Sequence, residues 1–354
     1  METKSANNLA LILHAKIPAD APVDEQDVLN EVEALSLGLY TLGYRVKSLP
    51  LDLDLANASL SIVASQADIV INLVESLDGK GQLIGLVPAL LESLQIKFSG
   101  AGYDAMTLTS NKLLAKHWMR SRQIDTPDWL ESDGSVVPEL TQAWIVKSVW
   151  EHASIGIDDA SLVRDKQSLS ARLQTMMIEH GGLWFAEQYI EGREFNIALL
   201  EHETGVEILP LAEMRFENYP QHKPHIVSFD AKWQTQSFAY QNTVRHFLDS
   251  KTEPLLAAQL ERVAVQCWQA FGLSGYARVD VRVDAEGKVW VLEVNANPCL
   301  SADAGYQACL QYAGIGFEAA VARIIAAAEK RFMLRVAAAS DTTGADLSSR
   351  KLKL

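Results

Sequence analysis

A predicted β-hairpin at residues 278–298 carries the side chains with the clearest potential for chemistry. If Val283 pairs with Lys288 across its turn, five polar side chains share one face with Val289 and Val291, because successive side chains of a strand point to opposite faces. These polar side chains are Arg278, Asp280, Arg282, Glu293 and Asn295. Carboxylate and amide oxygens are hard ligands that Mg²⁺ accepts, usually with phosphates and waters completing its shell. The hairpin therefore predicts a magnesium site beside an arginine.

The opposite face of this hairpin is predicted to be buried. It carries only apolar side chains, namely Val279, Val281, Val283, Trp290, Leu292 and Val294. The same alternation also fits an ordinary amphipathic hairpin whose charged face is solvated. A one-residue slip in register would divide the proposed ligands between two faces. The hairpin alone leaves both interpretations open.

Two lysines are candidates for binding phosphate. Lys147 ends a predicted strand and precedes a loop with Ser154 and Gly156, where small residues let backbone amides approach an anion. The Gly-Lys-[Ser/Thr] order of a Walker A loop is missing, and an ordinary surface loop is the alternative. Lys112 lies in the first turns of a predicted helix, near the end that favours anions. A solvated surface lysine is the alternative there.

The strand at residues 184–190 and the turn after it offer a place for a base and a sugar. The backbone at residues 188–190 is suited to an adenine edge and Glu194 to ribose hydroxyls, although a plain hairpin with acidic ends fits as well. Cys299 follows the magnesium strand, but no histidine with a clear structural relation accompanies it, which disfavours a cysteine nucleophile. His152, in the candidate phosphate loop, faces either a substrate or water.

The elements that must position these groups follow two patterns. Before residue 106, strands at 9–14, 44–49, 68–73 and 96–99 alternate with helices at 24–42 and 81–94. This alternation predicts a small parallel α/β domain. Later helices are predicted at 109–122, 166–180, 253–271 and 316–330, and later strands at 144–147, 184–190, 194–200 and 208–214. Residues 215–250 are predicted to form long loops, and a frayed tail begins near residue 337.

Composition limits the classes of function. The 354 residues are enough for two or three packed units, and the net charge of −14 disfavours nucleic acid and anionic membranes as partners. Three cysteines without metal-ligand spacing favour a reducing compartment. We find neither a signal-peptide pattern nor an apolar run long enough for a bilayer. These features predict a soluble, cytoplasmic protein.

The order of the chemical segments resembles the ATP-grasp superfamily, and within it most closely the D-alanine–D-alanine ligases. The resemblance extends over residues 9–330, and its most specific part is the hairpin. It implies an α/β fold of the α+β grasp type, with a small parallel α/β domain at residues 1–105 before a two-lobed ATP-grasp domain. The central lobe would span residues 106–190, the C-terminal lobe with the magnesium site 191–335, and a disordered tail 336–354.

The resemblance also implies a role for each candidate residue. Lys112, Lys147 and Lys232 would bind the ATP phosphates, and the loop of Ser154 would close over them. Glu187 and the backbone of Tyr189 and Ile190 would bind adenine, and Glu194 would bind the ribose. Asp280, Glu293 and Asn295 would bind two Mg²⁺ ions, for which Mn²⁺ can substitute. Arg278 would stabilise negative charge that develops on the acyl centre.

The activity implied is that of an ATP-dependent carboxylate–amine ligase. A substrate carboxylate attacks the γ-phosphate to give an acyl phosphate and ADP, and an amine then displaces phosphate to form an amide. Both steps accumulate negative charge, so lysines, an arginine and two metal ions in a cleft that excludes water suit them.

The substrate half departs from the family pattern. In the family a serine and a tyrosine tie down the closing loop, and Ala153 and Trp233 stand at the matching positions of this chain. A glutamate of the family's first domain is linked to that pair, and Glu25 and Asp27 are the candidates to match it. The family's glycine after the proline of the metal strand is replaced here by Cys299, which follows Pro298. The family has a serine that helps to hold the second substrate's carboxylate, and this chain has Ala304, after Asp303, at that position. Glu75 either faces the first substrate's amine or is an ordinary strand-end charge.

These departures predict small-molecule carboxylate and amine substrates other than two D-alanines. The alternatives are D-alanine–D-alanine ligation with a variant loop, and an ATP-binding regulatory protein without catalysis. A dinucleotide oxidoreductase is disfavoured because the glycine fingerprint is missing. The resemblance also points to a homodimer.

Overall fold

Three β-sheets organise the computed structural model, which describes residues 8–18, 20–131, 139–151 and 153–344, without the side chains of 339–344. The first sheet precedes residue 106, the second lies between residues 129 and 188, and the third begins at residue 193. The sheets thus fall within the predicted domains, whose boundaries stay predictions.

The first sheet has three parallel strands in the order β2-β1-β3. The strands are β1 (Leu9–Ala15), β2 (Arg45–Leu51) and β3 (Ile69–Asn72), and the helices are α1 (Val23–Thr41), α2 (Leu55–Ser65) and α3 (Leu86–Ser93). The parallel α/β arrangement confirms the prediction for this part of the fold. The sequence interpretation missed α2, although Asp54 caps its N-terminus by accepting a hydrogen bond from the Asn57 amide.

The second sheet is antiparallel, with its strands in the order β4-β7-β5-β6. The strands are β4 (Trp129–Glu131), β5 (Trp144–Ser148), β6 (Leu162–Val163) and β7 (Trp184–Gln188). The helices before and within this sheet are α4 (Tyr103–Ser110), α5 (Lys112–Ser121) and α6 (Lys166–His180). Trp144, Leu169 and Trp184 belong to the core between α6 and the sheet.

The third sheet has six strands, with the path β11-β10-β8-β12-β13 and β9 paired to β8. The strands are β8 (Arg193–His202), β9 (Gly205–Ile208), β10 (Ala212–Phe216), β11 (Thr243–Phe247), β12 (Tyr276–Val283) and β13 (Val289–Asn295). The helices of this part are α7 (Phe229–Trp233), α8 (Phe238–Asn242), α9 (Pro254–Phe271), α10 (Gly305–Tyr312) and α11 (Phe317–Gly344).

Two expectations about irregular structure were wrong. Residues 215–250 contain α7, α8 and β11 rather than only long loops, and Ser228 and Ser237 cap the two helices through their hydroxyls. Helix α11 continues to Gly344, so residues 336–344 are helical where a tail was expected. The rest of that expected tail, residues 345–354, lies outside the described residues.

The predicted register of the hairpin was also wrong. Val283 lies opposite Val289, and a bulge between Asp280 and Val281 leaves Leu292 as an extra residue in β13. Beyond the bulge, Asp280 pairs with Glu293 and Arg278 with Asn295, so the polar set still shares one face. The expected core face changes instead: Val289 and Val291 are buried, whereas Trp290 and Leu292 are only partly buried.

Helices α1 and α11 join the first sheet to the third. Apolar side chains from β1, α1, α10 and α11 form one core cluster with residues of β8 and β12. The helices approach closely at Gly38, where an added Cβ would lie 3.3 Å from Cγ2 of Val321. In the described part of the chain, no single helix is long and apolar enough to cross a membrane, and α10 with α11 meets that test only as a pair bent by 108°.

Candidate active site

A cleft of about 980 Å³ is lined by residues of all three parts of the chain. Every side chain that the sequence interpretation assigned to the site lines this cleft. The cleft thus brings together the phosphate lysines, the proposed metal ligands and the acidic residues of the first domain. The role of each residue stays a prediction.

The metal face is organised around Asp280. Its carboxylate accepts hydrogen bonds from Arg278, at 2.7 Å from Nε and 2.9 Å from Nη2, and from Asn196 Nδ2 at 2.9 Å. Asn196 is opposite Asp280 on β8, so the three-strand register delivers all three groups to one point. Burial acts to lower the pKa of Arg278, but the Asp280 and Glu293 carboxylates raise it above its usual value. Arg278 therefore stays charged.

The donor set fits magnesium together with a nucleotide. Asp280 and Glu293 supply carboxylates and Asn295 an amide oxygen, which accepts a hydrogen bond from the Asn297 amide at 3.1 Å. Among the described residues no cluster of three His, Cys, Asp or Glu side chains could hold a metal by itself. Mg²⁺ is usually bound by one or two carboxylates plus substrate phosphates and waters, so this set is sufficient in chemical type.

A buried charge network lies at the inner end of the phosphate lysines. Glu187 is 1% exposed, and its carboxylate contacts Lys147 Nζ at 2.6 Å and Lys116 Nζ at 2.5 Å. Burial acts to raise the pKa of Glu187, but the two ammonium groups hold it below its usual value. Lys116 also donates to Thr126 Oγ1 and Pro127 O, and burial lowers its pKa to about 8. Glu187, expected at adenine, thus anchors Lys147.

The other two phosphate candidates have different surroundings. Lys112 Nζ donates to the Glu151 carbonyl at 2.7 Å, and burial lowers its pKa although Glu293 opposes the shift. Lys232 makes no hydrogen bond or ion pair with the described residues. Desolvation, with the nearby Arg278 guanidinium, lowers its pKa. Both lysines are near the Glu293 carboxylate, where metal-bound phosphates would lie.

The proposed base and ribose end contains Arg282, which the sequence interpretation placed on the polar face of the hairpin but to which it gave no role. Arg282 donates to Glu194 Oε2 at 3.0 and 2.8 Å and to the Ile190 carbonyl at 2.7 Å. Its guanidinium also lies 4.7 Å from the Tyr189 ring centroid. Glu194, the predicted ribose ligand, is therefore held in a fixed position by a buried ion pair.

Two segments close over the phosphate end. Ser154 Oγ donates to the Val227 carbonyl at 2.9 Å, and Trp233 Nε1 donates to the Ala153 carbonyl at 3.1 Å. Ala153 and Ser154 both have left-handed φ angles, of 58° and 62°, which turn this loop toward α7. The indole of Trp233 thus ties the loop to α7, as the serine–tyrosine pair does in the family pattern. His152 lies outside the described residues.

The far end of the cleft is acidic. Asp27 Oδ2 accepts from Cys299 Sγ at 3.2 Å and Ser301 Oγ at 3.3 Å, and Ser301 also donates to Asp303 at 3.0 Å. Glu31 accepts from the Leu300 amide at 2.7 Å. Burial, reinforced by Glu75, raises the pKa of Glu31 well above its usual value.

The Cys299 thiol is not activated. Burial and the negative charge of Glu31 raise its pKa. A nucleophilic cysteine needs a lowered pKa, so the environment agrees with the expectation that Cys299 is no nucleophile. Glu25, the other first-domain candidate, also has a raised pKa, because of burial and the neighbouring Asp24 carboxylate.

The sequence interpretation gave no role to several polar residues of the cleft and its walls, among them Glu31, Lys116, Asn196, Arg245 and Arg282. Two of them had a usable signal. Glu31 is three residues after Val28 and four before Leu35, which puts a carboxylate on the apolar stripe of α1. Asn196 is two residues after Glu194 and so shares its strand face.

A parallel α/β unit followed by two antiparallel sheets that enclose a nucleotide-sized cleft is the architecture of the ATP-grasp fold. Comparisons with known proteins give the family. Residues 114–326, more than half of the chain, match the family model described as "D-ala D-ala ligase C-terminus". The chain belongs to the D-alanine–D-alanine ligase family, and it is an ATP-dependent ligase that forms C–N bonds.

Individual relatives agree with this assignment. The D-alanine–D-alanine ligase of Synechococcus sp. (strain JA-2-3B'a(2-13)) is 30% identical over 275 residues, which cover 75% of this chain and 77% of the relative. The solved D-alanine–D-alanine ligase of Bacillus anthracis superposes with a TM-score of 0.73 at 21% identity, covering 93% of this chain and 99% of that one. The VanG D-Ala:D-Ser ligase of Enterococcus faecalis gives a TM-score of 0.66 at 16% identity, covering 91% and 99%.

Proposed function

We propose that the chain joins the carboxylate of one amino-acid-like molecule to the amine of another through an acyl phosphate, using ATP and two Mg²⁺ ions. One observation carries the proposal. Arg278 is fixed by Asp280, and its charge interacts both with Lys232 and with Glu75 of the first domain. A guanidinium near both groups would face the acyl centre, on which negative charge develops in both steps.

In the first step a substrate carboxylate oxygen attacks the γ-phosphorus, and the bond to the β-phosphate oxygen breaks with release of ADP. Lys112, Lys147 and Lys232 hold the phosphate oxygens. When bound at Asp280, Glu293 and Asn295, Mg²⁺ supplies positive charge that offsets the charge of those oxygens. The Ser154 loop and Trp233 exclude water, which would otherwise hydrolyse the acyl phosphate.

In the second step the amine nitrogen attacks the acyl carbon, and the bond from that carbon to the phosphate oxygen breaks. Phosphate leaves with the bonding electrons, and the amine proton passes to phosphate or solvent. Arg278 stabilises the oxyanion of the tetrahedral intermediate. The carboxylates of Glu75 and Asp27 would attract the ammonium group of the first substrate.

The substrate end distinguishes this proposal from its runner-up, which is D-alanine–D-alanine ligation proper. Cys299 and Ala304 replace two residues of the family pattern, and Asp27 contacts both Cys299 and Ser301. These changes alter the shape and charge of the amino-acid pockets, whereas the phosphate and metal groups match the pattern. We therefore favour substrates that are not both D-alanine. A cytoplasmic location and a homodimer stay predictions.

A phosphate-release screen tests the proposal. The chain is assayed with ATP, Mg²⁺ and all pairs from a panel of D- and L-amino acids, with mass detection of products. We expect at least one pair to raise phosphate release well above a Glu293→Gln control and to give an amide of matching mass. If no pair exceeds the control, the proposal fails, and if D-alanine alone reacts, the runner-up is correct.

A further inference from the structure

Arg245 is a cleft arginine without a partner in the described part of the chain. It lies on β11 opposite Met214 and lines the cleft, partly buried. Its guanidinium makes no hydrogen bond, ion pair or cation–π contact with the described residues. A partly buried guanidinium is costly to leave unpaired, because its hydrogen-bond donors lose water without gaining acceptors.

The position of Arg245 is defined by α10 and by a second arginine. A Cβ added at Gly305 would lie 3.2 Å from Arg245 Nη2, so the guanidinium packs against the backbone of Gly305 and a side chain there would crowd it. Burial raises the pKa of Cys309 to about 11, and the charges of Arg245 and Arg278 both oppose that shift. The two guanidiniums thus approach Cys309, which lines the same end of the cleft.

The other cations of the cleft already have roles. Arg278 is neutralised by Asp280, Lys147 by Glu187, and Arg282 by Glu194. Lys232 also lacks an ion pair with the described residues, but besides Arg278 the charges that act on it include those of Asp280 and Glu293, where phosphates would lie. Arg245 differs from them in its place: its guanidinium packs against Gly305 at the start of α10.

Resting on the proposed function, we propose that Arg245 binds the carboxylate of the amine substrate and so selects an amino acid as the attacking molecule. Ala304, next to Gly305, occupies the place where the resemblance puts a carboxylate-binding serine. A methyl group cannot donate a hydrogen bond, whereas the adjacent guanidinium presents several donors in a planar fork that matches a carboxylate. The positive group required at this end of the cleft is therefore supplied by β11.

A nucleophile without a carboxylate separates this inference from the proposed function. Hydroxylamine traps an acyl phosphate as a hydroxamate, so hydroxamate formation from ATP and an amino acid reports the first step alone. The second measurement uses amino acids and their carboxamides as amine substrates. The variants are Arg245→Met, Arg245→Lys as a conservative replacement, and Arg262→Met on the exposed surface of α9 as a matched control.

We expect the unchanged chain to prefer the free amino acid over its carboxamide, and Arg245→Met to raise the KM for the free acid by about 10- to 100-fold. The KM for the carboxamide and hydroxamate formation should change far less. Arg245→Lys should recover part of the loss, and Arg262→Met should behave as the unchanged chain.

Three results would overturn the inference. Only the last of them would also overturn the proposed function. If the unchanged chain forms hydroxamate but uses acid and carboxamide equally, or if Arg245→Met leaves the KM for the acid unaltered, the inference alone fails. If the unchanged chain forms no hydroxamate with any amino acid, the proposed function fails and takes the inference with it.

Discussion

The indole Nε1 of Trp233 donates a hydrogen bond to the backbone carbonyl of Ala153, with a distance of 3.1 Å. The contact joins α7, in the third part of the chain, to the loop after β5. It uses a backbone acceptor, so it does not depend on the side chain at position 153. Together with the bond from Ser154 to Val227 and the backbone bond from Phe229 to the Ile157 carbonyl, it joins the loop to the segment that contains α7.

Replacement Trp233→Phe should loosen this closure while it preserves most of the ring. A lost hydrogen bond of this kind costs about 1 kcal/mol, so we expect the ratio of phosphate released to amide formed to rise about threefold to tenfold. Parallel phosphate and mass assays measure the ratio. Trp268→Phe, on α9 outside the cleft, is the matched control. An unchanged ratio in Trp233→Phe would mean that the contact does not exclude water.

Asn196→Ala should weaken magnesium binding without removing a ligand. Asn196 orients Asp280 through the 2.9 Å bond from Nδ2, and loss of such a supporting bond typically weakens metal affinity by about 10- to 100-fold. Titration of phosphate release with Mg²⁺ should therefore show a higher half-saturating concentration. Asn57→Ala, exposed on α2, should leave the titration unaltered. A fall in kcat at an unchanged Mg²⁺ requirement would contradict this role.

Lys116→Met should change the pH dependence of stability. The pKa of Lys116 is about 8 in the folded chain and 10.5 for an unperturbed lysine, so between these values the unfolded chain binds more protons. The contribution of Lys116 to the free energy of unfolding therefore rises with pH across this window, by on the order of 1 to 3 kcal/mol. Methionine cannot titrate and removes that rise.

Urea unfolding followed by tryptophan fluorescence at pH 7 to 10 checks this prediction. The difference in unfolding free energy between the unchanged chain and Lys116→Met should grow as the pH passes 8. Lys47→Met, at an exposed position on β2, serves as the control. A difference that stays constant with pH would show that Lys116 does not titrate in this range.

The three cysteines should resist alkylation in the folded chain. Burial raises the pKa of Cys267 to about 12 and that of Cys309 to about 11, and it also raises the pKa of Cys299. Because the thiolate is the reactive form, iodoacetamide at pH 8 should label each of them at least about tenfold more slowly than in urea. Peptide mass mapping over time measures the rates. Rapid labelling of Cys299 would reopen its interpretation as a nucleophile.

The polar face of the hairpin could be predicted from the sequence, but its bulge could not. The observed pairing of Asp280 with Glu293 differs by two positions from the predicted register, and a shift of two leaves each side chain on its original face. Near the turn the shift is one, so Trp290 and Leu292 exchange faces with Val289 and Val291. Spacing alone does not mark where an extra residue enters a strand.

The missed residues depend on contacts between distant segments. Arg245 lies in a stretch predicted as loop, and its place in the cleft follows from the pairing of β11 with β10 and from the approach of Gly305. The apolar stripe of α1 marks Glu31 as buried, but its hydrogen-bond partner is the amide of Leu300, 269 residues away. Local pattern cannot supply such pairs, because they arise only when the domains pack.

The core cluster that joins β1 and α1 to α11 has a consequence for synthesis on the ribosome. Ala10 and Val321 share this cluster although 311 positions separate them. At translation rates of about 5–20 residues per second, α11 emerges roughly 15 to 60 s after β1. The apolar surface that β1 and α1 bury against α11 therefore stays exposed during that interval, which makes it a target for a chaperone that binds nascent chains.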